Sequence, residues 1–165
     1  MQKFEADPKV QKMAEAYSLD FIDFARANFQ IELDWSDESV AQVEKIAAGL
    51  HENYIRTKPS DEQIAPFYKG LGSYIGEVFR RNHQAEWGWV TFNGTRFPGM
   101  HRDKVGLFWP WGKVQSRIVN GAEDNLWAYY QVGLLSPIGV GPQPLDPRSP
   151  DWAEKSKILL KKSDQ

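Results

Sequence analysis

The stretch Phe67-Tyr-Lys-Gly-Leu-Gly-Ser-Tyr-Ile-Gly-Glu-Val-Phe-Arg-Arg-Asn82 decides how the rest of the chain is read. Its apolar residues Phe67, Tyr68, Leu71, Tyr74, Ile75, Val78 and Phe79 follow the three-and-four spacing of one helical face. Gly70, Gly72 and Gly76 interrupt that face, and each interior glycine costs a helix about 1 kcal/mol relative to alanine. A helix that keeps them needs another backbone or side chain pressed close against it. Gly72 and Gly76 lie one turn apart, so the spacing predicts a groove there that receives a neighbouring element.

Upstream, the pattern predicts two more helices. Asp7-Pro8 reads as an N-cap followed by proline at the first helical position, and the helix runs to about Phe29. Leu19 and Ile22 sit off its main face, which predicts burial on two sides. Ser36 is expected to cap a second helix whose inward set is Val40, Val43, Ile46, Ala47, Leu50 and Tyr54. Ser60 with Gln63 makes a capping box for the central helix. Pro66 is expected to delay its regular part.

Downstream the periodicity changes. Glu86 to Phe92 alternates and is aromatic-rich, as a strand does, and Asn93-Gly94 is a hairpin signal. Thr95 to Met100 is the expected return strand, with Pro98 at an edge or bulge. Lys104 to Trp109 is a third candidate. Trp109 to Val119 reads as either a strand or a short helix, with Pro110 at a first helical position, Val114, Ile118 and the Asn120-Gly121 stop favouring the helix, and Asp124 reads as the cap of another short helix. Residues 137–150 hold five prolines and predict an extended surface arm, and 151–165 predict a last helix anchored by Trp152, Ile158 and Leu159. The expected fold is α+β. One globular domain over 1–136 has its N-terminal helices on a small antiparallel sheet; the Pro/Gly-rich arm over 137–150 follows, and the helix over 151–165 packs on the same domain.

Composition narrows function. The chain has 165 residues, a formal net charge of −2 and no cysteine. That excludes disulfides, thiol catalysis and cysteine-ligated zinc, and gives no basic surface for nucleic acid. No apolar run approaches the ~18 residues of a membrane span. The N-terminus reads without a signal peptide. A cytoplasmic location is the expectation.

Glu77 is read two ways: a general base at the edge of the groove, or a surface ion pair with Arg80 and Arg81 three and four residues on. The pair is favoured. The three histidines, His51, His83 and His101, lie in unrelated segments without helical metal spacing. Gly70, Gly72 and Gly76 match no phosphate-binding loop. Trp87 with Trp89, and Trp109 with Trp111, form two alternating pairs, either a binding platform or the sheet face under the helices.

Several segments together resemble a family of small bacterial proteins of unknown function. They are Leu33-Asp34-Trp35-Ser36, Leu71-Gly-Ser-Tyr-Ile-Gly-Glu-Val78, Trp87, Trp109-Pro-Trp-Gly-Lys-Val-Gln-Ser-Arg-Ile118, Asn120-Gly121 and Glu123-Asp124. The similarity spans about residues 33–130, and Leu-Gly-x-Tyr-x-Gly-Glu is its most specific part. It supplies no activity and no catalytic residues. Some proteins resembling this family look like immunity or accessory partners of secreted toxins. The lack of a nucleophile–base constellation and of metal spacing, with many aromatics, predicts a non-catalytic protein-binding module without cofactor, metal, nucleic acid or membrane, and the resemblance implies a toxin as its partner. Candidate contact residues are Glu77, Arg80, Arg81, Trp109 and Trp111. Two alternatives stay open: a small hydrolase or ligand-binding enzyme using Glu77 with His83 or His101, and a homodimeric structural protein.

Overall fold

A computed structural model describes residues 2–134 of the chain. The expected arm over 137–150 and final helix over 151–165 lie outside the described residues. The central stretch is a helix, α3 (Asp61–His83), flanked by α1 (Pro8–Phe29), α2 (Ser39–Thr57) and α4 (Pro110–Asn120). A four-stranded antiparallel sheet has the order β1 (Gln2–Ala6), β2 (Glu86–Phe92), β3 (Thr95–Arg102), β4 (Gly106–Phe108). A 3₁₀ turn at Ala122–Asp124, the short helix α5 (Leu126–Tyr129) and a π-type turn at Tyr130–Leu134 follow. The α+β class read from the pattern is the one observed.

The glycines explain why α3 is the hub. A Cβ at Gly72 would lie 2.8 Å from the Trp111 amide nitrogen, so α4 crosses α3 backbone to backbone there. A Cβ at Gly76 would lie 2.2 Å from the Trp87 indole, so β2 docks one turn further along. At Gly70 the neighbour is Phe21 of α1, at 3.4 Å. The three notches therefore receive three different elements. Leu71, Tyr74, Ile75, Val78 and Phe79 are fully buried around them.

Local signals hold where a polar side chain satisfies a helix end. Asp7 accepts from the Lys9 amide at 2.9 Å. Ser60 and Gln63 complete the capping box reciprocally. With that cap in place α3 begins at Asp61 and carries Pro66 inside it, earlier than the proline suggests. The second helix starts later than expected. Ser36 accepts from the Ser39 amide at 3.2 Å, but residues 37 and 38 form a turn, and Glu38 is the position before the helix. Asn125, rather than Asp124, caps α5, accepting from the Ala128 amide at 2.9 Å. Leu19 is 56% exposed while Ile22 is buried, so α1 is covered less widely than its composition suggests.

The sheet adds a strand that the pattern does not announce. β1 pairs with β2 from Gln2↔Phe92 to Ala6↔Gly88. Pro98 lies opposite Trp89 in β3, beyond the short reach of β4, which pairs only with Met100–Arg102. Its missing N–H therefore faces a side where no strand pairs with it among the described residues, the position proline tolerates. Trp87, Met100 and Phe108 join the core against the helices, whereas Val90, Leu107 and Trp109 cluster with Phe4, Phe92 and Phe97 on the opposite face.

Candidate functional site

Glu77 lies inside, which corrects the expectation of a polar helix surface. Its side chain is 0% exposed because the Trp87 ring, seated on Gly76, roofs it. The indole Nε1–H of Trp87 donates to Glu77 Oε2 at 3.0 Å. Arg80 donates twice, Nε to Oε2 at 2.6 Å and Nη2 to Oε1 at 3.0 Å. Arg81 Nε stands 3.5 Å from Oε1, and Arg80 also reaches Glu15 of α1 at 3.4 Å. The pairing with both arginines was legible in the spacing; its burial was not. A buried carboxylate needs this degree of satisfaction, since an unpaired one would cost several kcal/mol. Hydrogen bonding to Glu77 raises the Arg80 guanidinium above its ordinary value. The Arg81 guanidinium lies over the Trp35 ring at 3.7 Å.

A second polar cluster ties the end of α3 to the loop before α2. His83 Nε2 sits 3.0 and 3.1 Å from the two Asp37 oxygens, and Tyr130 donates to Asp37 Oδ1 at 2.5 Å. Asn82 joins at 3.4 Å. Burial works against the Asp37 charge, but the hydrogen bonds from Tyr130, His83 and Asn82 outweigh it and hold the carboxyl below its usual range. Burial and the Asp37 contact push the Tyr130 phenol well up. His83 also borders a polar cleft of about 310 Å³ with Gln84, Glu86, His101, Arg102 and Asp103.

A third cluster, missed by the sequence reading, lies between α2, α4 and α5. Lys113 Nζ donates to Asp124 at 3.0 Å, and Asn120 donates to the other Asp124 oxygen at 3.1 Å. Arg117 grips Glu44 at 2.8 and 2.9 Å, and the Leu126 amide donates to Glu44 Oε1 at 2.9 Å. Lys113 and Arg117 flank Val114 and Ile118 on the inward side of α4, and that intrusion into an apolar stripe was the available signal. Burial lowers the Lys113 ammonium from 10.5 to about 8, against the pull of Asp124.

The open surface near the centre is aromatic. Trp111 Nε1 donates to Ser73 Oγ at 2.8 Å, which pins the ring across α3. Tyr17 meets it edge-on, with ring centroids 5.8 Å apart, and Lys69 Nζ lies 5.6 Å above it. Trp111, Tyr68, Phe97, Pro98, Trp109 and Gln115 border a cleft of about 240 Å³. Trp109 is 3% exposed and packs against Phe92 and Phe97, so it forms the floor. The tryptophan pairs thus separate. Trp87 and Trp89 share the helix-facing side of a strand, while Trp109 and Trp111 stand at the start of α4 and point into different surroundings.

Of the candidate contact residues, Arg80, Arg81 and Trp111 reach solvent in part, and Glu77 and Trp109 support them from beneath. Glu77 bonds to Arg80 and Trp87, whereas His83 bonds to Asp37 and His101 stacks on Phe4 at 5.3 Å. The imidazoles and Glu77 therefore belong to separate clusters. His51 Nδ1 lies 2.7 Å from the Ile118 carbonyl oxygen, a packing contact beside Gly121. Among the described residues no group of three or more His, Asp and Glu could hold a metal ion, and no helix is long and apolar enough to cross a membrane. Compared with protein-family models, curated proteins and solved structures, the chain gives no match.

Proposed function

We propose that the protein is a non-catalytic module that binds another protein through the aromatic cleft around Trp111. One observation carries this reading. The half-buried Tyr68, Pro98 and Trp111 border the cleft on a rigid base, where Ser73 fixes the indole and Gly72 lets α4 approach. Tryptophan, tyrosine and arginine anchors of this kind dominate protein interfaces. Glu77, the best catalytic candidate in the sequence, is used in holding Arg80 and Trp87. In the narrower form implied by the family resemblance, the partner is a secreted bacterial toxin and the protein is its cytoplasmic immunity partner. Co-expression with the product of the adjacent gene tests this. A stable complex at micromolar concentration supports it, and no complex counts against it.

A ligand-binding enzyme remains a second reading because of one feature. Asp37 orients the His83 imidazole at the border of the polar cleft that also holds His101 and Arg102. Such a carboxylate-held imidazole is suited to proton transfer. Chemical-shift mapping of the histidine rings against a library of small polar metabolites tests it, and no response at millimolar ligand removes it.

A further inference from the structure

We propose that the outer edge of β1 pairs with β1 of a second copy of this chain, joining two sheets into one across a two-fold axis at Phe4. This surface is separate from the aromatic cleft. β1 is the end strand of the sheet, and among the described residues no strand pairs with its far side. Gln2, Lys3, Glu5 and Ala6 are exposed, and Phe4 is half-buried. An open strand edge is a template for another strand, and proteins that avoid such pairing blunt it with proline, a bulge or charge. β1 holds no proline, and its register with β2 runs without a bulge from Gln2↔Phe92 to Ala6↔Gly88.

The ladder fixes which backbone groups point outward. Asp7 donates its amide to the Trp87 carbonyl at 3.2 Å, continuing the β1–β2 register. In an antiparallel pair the backbone groups of alternate residues face the partner strand. Lys3, Glu5 and Asp7 therefore turn theirs towards β2, while Gln2, Phe4 and Ala6 turn theirs out. A second β1 laid antiparallel, Phe4 opposite Phe4, sets Gln2 opposite Ala6. Every outward residue then meets an outward residue, and about six backbone hydrogen bonds close. The same register sets Lys3 opposite Glu5 of the other copy, twice, at the pair spacing where side chains come closest. Sliding one strand by two residues would instead set Lys3 against Lys3 or Glu5 against Glu5, so charge singles out one register. Glu5 is held loosely, 3.9 Å from Arg96 with both side chains more than half exposed, and is able to turn to that lysine. The Phe4 ring, stacked on His101 at 5.3 Å, gains a second phenyl ring across the axis.

Charge reversal with rescue tests the pairing. Sedimentation equilibrium at low salt is run on the full chain, on Lys3→Glu, on Glu5→Lys, and on the chain carrying both changes. Both side chains are exposed, so each variant keeps the fold, which far-UV circular dichroism checks. A single strand-edge contact is small, and the parent is expected to dimerise with a Kd of about 10–100 μM. Each single reversal turns both Lys3–Glu5 pairs into like-charge pairs and should weaken the dimer about tenfold or more. The double reversal restores opposite charges in the same register and should return the parent's Kd to within about threefold. A parent that stays monomeric at about 500 μM, well above that range, would overturn the proposal. So would a dimer indifferent to the single reversals, or one that the double reversal does not restore.

Discussion

Alanine substitutions along the central helix weigh two opposed effects. At an unconstrained helical glycine, alanine stabilises by about 1 kcal/mol. Gly49 of α2 is such a position, since an added Cβ would meet only Phe29 at 3.7 Å. At Gly76 the Cβ would stand 2.2 Å from Trp87 Cζ2. The ring would have to retreat by about 1 Å to reach ordinary carbon–carbon contact near ~3.5 Å. That retreat strains a packed core by about 1–3 kcal/mol. It also draws the indole N–H away from Glu77, a hydrogen bond to a charged group worth about 1.5–3 kcal/mol. Set against the helix gain, Gly76→Ala should destabilise by about 2–4 kcal/mol. Gly72→Ala meets backbone atoms of Pro110 and Trp111 at 2.8–2.9 Å, and backbone yields less readily than a side chain. It should lose about 1–2 kcal/mol net. Gly49→Ala should gain up to about 1 kcal/mol. Urea unfolding followed by tryptophan fluorescence and far-UV circular dichroism measures all three. If Gly72→Ala and Gly76→Ala matched or exceeded the parent in stability, as helix propensity alone requires, the docking role of the notched helix would be wrong.

Three further outcomes follow from the buried polar clusters. Glu77→Ala should cost about 3 kcal/mol, because Arg80 and the Trp87 indole lose their shared acceptor; Glu77→Gln should cost clearly less, and equal losses in chemical denaturation would mean that the charge is the whole effect. Lys113 has a folded value of about 8 against an ordinary 10.5. The unfolded chain therefore binds the extra proton between those values, and this group's contribution to stability rises with pH across that window by about 3 kcal/mol. The stability difference between the parent and Lys113→Met, measured from pH 7.5 to 10.5, should grow accordingly, and a flat difference would contradict the burial argument. Asp37 titrates below its ordinary 3.8, so its contribution is present above that pH and is lost as the pH falls through the folded value. Acid unfolding should accordingly lose part of its steepness in Asp37→Asn, whereas an unchanged profile would show that the Tyr130 and His83 contacts do not favour the charged form.

What the sequence revealed follows the range of the interactions. Caps and turns act over three or four residues, so Asp7-Pro8, Ser60 with Gln63, and Asn93-Gly94 were readable. The glycines of α3 signalled close packing, because nothing else offsets their cost in a helix. What they pack against was not readable, since Trp111 and Trp87 come to Gly72 and Gly76 only through the tertiary fold. β1 carried no signal because, apart from a half-buried Phe4, its side chains are exposed, and its order comes from backbone pairing with β2 some ninety residues away. Glu77 looked like a surface residue because its partners Arg80 and Arg81 are charged and local; the group that buries it, Trp87, is supplied by another element. Asp37 with His83 and Tyr130, and Glu44 with Arg117, join residues tens of positions apart, beyond any helical spacing.

The role of the aromatic cleft is tested most directly by isothermal titration of the adjacent gene's product into the full chain and into Trp111→Ala. Ser73 and Tyr17 hold the indole at the surface, so its removal should leave the fold intact by circular dichroism and remove an interface anchor. The account predicts micromolar or tighter binding to the parent and a loss of at least tenfold in the variant. Undiminished affinity in a folded Trp111→Ala chain, or no heat with the parent at all, would contradict it.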